Sequence, residues 1–133
     1  MNASSMDIKD ILEAESSLGL VYATNLFVGK EPASPSGCVT IFDIPGRSPL
    51  LTLDGKGGIA YDFSSIQIRV RNRSYNTAWD TISSIKEYLH GIKGETWNTT
   101  VYDLIKGVDD PFLLDWDEND NARFVTTFTV QRK

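Results

Sequence analysis

The residue types that most often do chemistry are scarce in this chain, which holds one cysteine, Cys38, and one histidine, His90. A thiolate and an imidazole act as nucleophile and base only when folding brings them within hydrogen-bond reach. Cys38 opens a run of β-branched residues and reads as a small buried hydrophobe. His90 closes a helical pattern, where an imidazole meets exposed carbonyls. A zinc site of cysteine and histidine needs more ligands, and a lone cysteine makes no intrachain disulfide. The stretch "DGKGG" from Asp54 to Gly58 has glycines and a lysine. It lacks the longer spacing and the following Ser or Thr of a phosphate cradle, and it leads into a strand, so it reads as a hairpin tip. "DWDEND" spaces carboxylates like half of a calcium loop, but without the fixed glycine and the distal glutamate, and it reads as a turn between strands. A carboxylate pair for glycoside hydrolysis needs convergence across the fold, which spacing alone does not give. The expectation is a protein that is not an enzyme, with no catalytic residue, no cofactor and no metal.

What remains is charge and its placement. The net charge is -5, yet Arg69, Arg71 and Arg73 crowd onto one stretch, "IQIRVRNR". Asp109, Asp110, Asp115, Asp117, Glu118 and Asp120 crowd onto another. The overall balance argues against a broad grip on nucleic acid. The arginines are either a solvated strand face whose aliphatic stems cover the sheet or a contact with another subunit. The acids are either a solvated turn or the counterpart of that contact. On the second pair of readings, the candidate subunit interface is Arg69, Arg71, Arg73, Asp115, Asp117 and Glu118.

The elements that position these groups follow from periodicity. "SSMDIKDILEAESSL" repeats Ile8, Ile11, Leu12 and Leu18 at helical spacing. Ser4 and Asp7 stand in capping-box spacing and Gly19 is the stop, so a helix is expected over Ser5 to Leu18. "NLFVG" reads as a short strand and Cys38 to Pro45 as a longer one. Residues 46–58 hold four glycines and a proline around a short Leu50–Leu53 strand, as a long hairpin or a loop. Tyr61 to Arg71 reads as a long strand, strictly alternating only from Ile66, with Phe63, Ile66, Ile68 and Val70 on its apolar face and Arg69 and Arg71 outward. Tyr75 to Leu89 carries Ala78, Ile82, Ile85 and Leu89 on one helical face. "TWNTTVYDLIKG" is expected as a single strand with Val101, Leu104 and Ile105 in the core. "DPFLLDW" and "ARFVTTFTV" are expected to pair as a hairpin. The order implies one α+β domain over 1–133, a mostly antiparallel sheet with two main helices packed on one face. No apolar run approaches the roughly 20 residues of a membrane span. The first residues lack the order of a signal peptide, so cytosolic assembly is expected.

Several segments together resemble a known family. They are "LFVGKEPASPSGCVTIFDIPG", "IQIRVRNRSYNTAWDTISSIKEYLHG" and "PFLLDWDENDNARFVTTFTV", with the leading amphipathic helix. Their order is similar to that of the minor capsid and tail terminator proteins of long-tailed bacteriophages, over about residues 7 to 131. Trp116 departs from the small or polar residue ordinary at its place in the turn. The resemblance implies a virion protein, assembled in the host cytoplasm, that forms a homo-oligomeric ring, usually a hexamer. The ring would cap the tail tube, stop its polymerisation and offer a head–tail joining surface to head-completion or connector proteins. DNA would pass through the lumen without specific binding, and no membrane is involved. On that reading residues 46–58 are a candidate tube-facing loop, with Arg47, Asp54 and Lys56. The alternatives are a portal-side connector or stopper and, in another class, a small ligand-binding or enzymatic domain.

Overall fold

The computed structural model describes residues 1–51 and 59–133. Along the chain run α1 (Ser4–Ala14), β1 (Leu26–Val28), β2 (Cys38–Leu51), β3 (Ile59–Asn72), α2 (Tyr75–Leu89), β4 (Glu95–Trp97), β5 (Thr100–Gly107), β6 (Phe112–Trp116) and β7 (Ala122–Arg132). The strands form one sheet in the order β1-β2-β3-β7-β5-β4, and β6 also pairs with β7. The sheet is mixed: β1 runs parallel to β2, and the remaining ladders are antiparallel.

The strand β7 organises the sheet. One of its edges pairs with β3 from Asp62↔Arg132 to Asn72↔Ala122. The other edge is shared: β6 takes Ala122 to Val125 and β5 takes Phe128 to Arg132. Period-two alternation then sorts the side chains. Ile66, Ile68 and Val70 of β3 join Phe124, Phe128 and Val130 of β7 in one hydrophobic cluster with both helices. The opposite face carries Ser65, Gln67, Arg69 and Arg71 beside Thr129, Thr127, Val125 and Arg123, their register partners.

Both helices follow from their sequences, with differences at the ends. In α2 the Ser74 hydroxyl accepts from the Thr77 N–H at 3.3 Å, and Ala78, Ile82, Ile85 and Leu89 are buried as one stripe. The first helix stops at Ala14, a 3-10 turn covers Ser16–Leu18, and Gly19 takes φ 65°. Ser4 does not cap this helix, because its hydroxyl is engaged with that of Ser64. The cap comes from the sheet: Asp43 of β2 accepts from the Ser5 N–H at 3.1 Å and the Ser5 hydroxyl at 2.6 Å. Asp7 turns inward and is fully buried. It accepts from the Tyr102 hydroxyl, from Asn98 Nδ2 at 2.7 Å and from Asn2 Nδ2 at 3.1 Å.

The sheet departs from expectation in two places. After Pro45 the long-hairpin alternative holds as far as Leu51, and Arg47, expected in a tube-facing loop, lies in β2 opposite Phe63. Next to it Gly46 sits at a register shift, where an added Cβ would collide with the Phe63 carbonyl and the Ser64 Cα. The stretch expected as one strand at 96–107 is the hairpin of β4 and β5. Asn98 (φ 50°) and Thr99 (φ 65°) make its two-residue turn, the left-handed geometry that hairpins favour. A register shift between Tyr102 and Leu104 follows. Tyr102 and Ile105 therefore fill the core, while Val101 and Leu104 are half-buried.

Candidate assembly interface

The arginine strand meets a different neighbourhood from the one its alternation suggests. Arg71 points away from the helices, as expected, but it is buried at 6% exposure. The segment linking β1 to β2 folds over it. Arg71 Nη2 donates to the Pro35 carbonyl at 2.7 Å and Nε to the Ser36 carbonyl at 3.2 Å. Its Nη1 pairs with Glu31 at 3.3 Å. Register sets Arg71 opposite Arg123, a like-charge pair that would cost stability alone. Glu31 lies between them and also takes Arg123 Nη1 at 3.3 Å. Arg123 then grips Asp115 of β6 with one edge of its guanidinium, Nε donating to Oδ1 at 2.6 Å and Nη2 to Oδ2 at 2.5 Å. That grip raises the Arg123 pKa and holds the Asp115 carboxyl below its ordinary value, against the opposing effect of burial.

The other candidates separate by use. Arg69 donates from Nε to Gln67 at 2.9 Å and lays its guanidinium over the Phe42 ring at 4.9 Å. Arg73 and Glu118 are exposed. Asp117 closes its own turn: Oδ1 accepts from the Asn119 and Asn121 N–H groups and Oδ2 from Asn121 Nδ2, each at 2.9 Å. The Asn121 backbone bond leads the causes that keep the Asp117 pKa low. Asp117 thus acts as the turn's internal clamp, a role the metal-like spacing of "DWDEND" does not announce. Among the described residues no cluster of His, Cys, Asp and Glu is placed to hold a metal ion.

The arginine strand and the acidic turn also lie at one end of the molecule, because Asn72 pairs with Ala122. A shallow groove of about 570 Å³ between them is lined by Lys30, Glu31, Arg71, Trp116 and Asp117. Beside it Tyr75 and Trp79 pack on the buried Phe124, and Trp116 packs on Tyr75. Tyr75 stacks on Trp116 at 6.3 Å and meets Phe124 edge-on at 5.0 Å. Trp116 keeps 50%, Tyr75 47% and Trp79 42% of its surface exposed. The helical spacing of Tyr75 and Trp79 gives no sign of this patch, since its third member comes from β6.

Cys38 and His90 are not brought together. Cys38 is buried, and burial pushes its thiol pKa up. His90 is exposed and accepts from the Gly107 N–H at 2.9 Å. Arg47 is exposed on β2, its guanidinium 4.0 Å from the Phe63 ring centre. Asp54 and Lys56 lie outside the described residues.

The comparisons agree with this architecture. A family model described as bacteriophage tail terminator protein matches residues 7–133. Among solved structures, a chain of the virion of a native gene transfer agent particle is similar at 15% identity, with a TM-score of 0.65. The match covers 98% of this chain and 94% of that one. No curated protein matches the sequence.

Proposed function

This chain belongs to the bacteriophage tail terminator family, and from that premise we propose that it is a structural virion protein that closes into a ring, in the usual arrangement a hexamer, on the head-proximal end of the tail tube. There it stops tube growth and presents the surface that joins the tail to head-completion or connector proteins. Its work is geometric, and no bond is made or broken. The observation that carries this reading is the family match over residues 7–133.

The charge distribution supports it. A closed ring needs a heterologous interface, in which one surface of each copy meets a different surface of the next. The end carrying Arg69, Arg73, Glu118 and the half-exposed aromatics is one such surface. Aromatic residues are enriched at the centres of protein contacts, and charges at the rim set register more than affinity. Arg71, Arg123 and Asp115 serve this surface indirectly, by holding the segment over β3 and the turn beside it. The net charge of -5 suits a lumen through which DNA slides, since basic walls would bind phosphates. Asp54 and Lys56 are the candidate contact with the tube protein. Arg47 is paired in the sheet, opposite Phe63.

The test is imaging of tails assembled with and without the protein. Tubes of uniform length carrying a ring at one end are expected with it, and overlong tubes without it. Tubes of equal length in both samples would refute the reading.

A further inference from the structure

Deepening that reading, on which it rests, we propose that the second surface of the ring contact is the concave groove at the far end of the sheet, and that its occupant is the acidic β6–β7 turn of the next copy. The groove lies on the face away from the helices, with a volume of about 260 Å³. Arg47, Phe63, Ser65, Leu104, Thr129 and Gln131 line it. Register explains why these side chains converge: Arg47 pairs with Phe63, Phe63 and Leu104 with Gln131, and Ser65 with Thr129. Lys106 pairs with Thr129 at its border.

The two surfaces complement each other in charge. Among the described residues, Arg47 and Lys106 have no carboxylate partner, and none of those lining the groove is acidic. The Arg47 guanidinium lies 4.0 Å from the Phe63 ring centre. At the other end the turn exposes Glu118 and Asp120, neither in an ion pair among the described residues. Lys30 lines the shallow groove beside the turn together with Asp117 and Glu118. The groove floor offers Phe63 and Leu104 to the exposed half of Trp116, which stays stacked on Tyr75.

One copy cannot satisfy both surfaces itself. The turn precedes Ala122 and the groove reaches Gln131, so roughly 30 Å of strand separates them at the rise of an extended chain. β7 is held to β3 along that whole length. The turn must therefore look for the groove of another molecule. A contact of that kind is head-to-tail and closes into a ring when its rotation allows.

The experiment compares native protein with Arg47→Glu, Trp116→Ala and the exchange Arg47→Glu/Glu118→Arg, by mass photometry in solution and by imaging on purified tail tubes. Circular dichroism checks each fold. In parallel, zero-length carbodiimide coupling of the native ring, read by peptide mass spectrometry, seeks a bond from Glu118 or Asp120 to Lys106 of another copy. The expected result is that each single variant weakens ring closure at least about tenfold, that the exchange recovers most of it, and that the cross-link is found. Rings that close equally well in all variants, or a native ring without the cross-link, overturn the pairing and leave the ring reading standing. Absence of any ring, in solution and on tubes alike, overturns both. Should a variant fail to fold, the cross-link in native protein decides.

Discussion

Arg69 and Arg71 stand on the same strand face and answer to different surroundings. Arg71 is enclosed, with its ion pair to Glu31 at 7% and 13% side-chain exposure. Arg71→Ala removes one of the two arginines that neutralise Glu31 and strips the Pro35 and Ser36 carbonyls of their donor, at a cost of about 1–3 kcal/mol. It is therefore expected to lower the urea midpoint clearly, while Arg69→Ala costs less than about 1 kcal/mol. Tyr102→Phe strips a hydroxyl from the buried Asp7, and a cost of about 1–3 kcal/mol is expected in the same assay. Burial first, and the bond to Asp7 second, raise the Tyr102 pKa. A phenol held protonated in the fold contributes stability that is complete below its unfolded value, about 10, and declines as pH climbs beyond it. The carboxylates Asp115 and Asp117 have the opposite sign. Their pKa values are lowered in the fold, so their contribution is present above about pH 4 and fades as pH falls through the folded values. Carboxyl NMR titration checks this, with midpoints for both below the ordinary aspartate value.

At the scale of elements, the predictions concern places where backbone geometry outranks residue preference. Gly46 has no room for a Cβ, and Gly46→Ala is expected to cost about 1–3 kcal/mol by forcing β2 and β3 apart. Thr99 holds φ 65°, a region that costs a β-branched residue roughly 1–2 kcal/mol. Thr99→Gly is expected to raise the thermal midpoint, because the strain relieved exceeds the roughly 0.5–1 kcal/mol that glycine's chain entropy costs. The same places explain what the sequence withheld. The α2 stripe and the alternation of β3 and β7 are legible because their periods are unbroken and their partners lie in one core. The β4–β5 turn is not, because Asn98-Thr99 lacks the glycine that usually marks such a turn. The shift at Tyr102 then moves the inward position off the alternation. The candidate interface divides likewise. Exposure of Arg73 and Glu118 agrees with local pattern. The burial of Arg71 depends on Glu31 and the Pro35 carbonyl, about 40 and 36 residues away, and no local window reports that. The capping spacing of Ser4 and Asp7 misleads for the same reason, since Asp43 and Tyr102 come from distant strands.

For the whole molecule, the expectation most open to a direct count is copy number. A single oligomeric species, against a continuous ladder of sizes, is expected by native mass spectrometry when the protein closes on itself, since closed symmetry selects one stoichiometry. The ladder at the centre of the sheet has a further consequence, in time and not in space. β3 and β7 are joined by no hairpin; between them lie α2 and three other strands. The two hairpins, β2 with β3 and β6 with β7, form from near neighbours, whereas their union along β3 and β7 must close a loop of about 50 to 70 residues. Loop closure of that kind is paid before its contacts reward it. Refolding is thus expected in milliseconds to seconds, with the rate set by that union. Until it happens, each newly made chain presents two unpaired strand edges to its neighbours, so the yield of folded subunits should fall as the concentration of refolding chains rises.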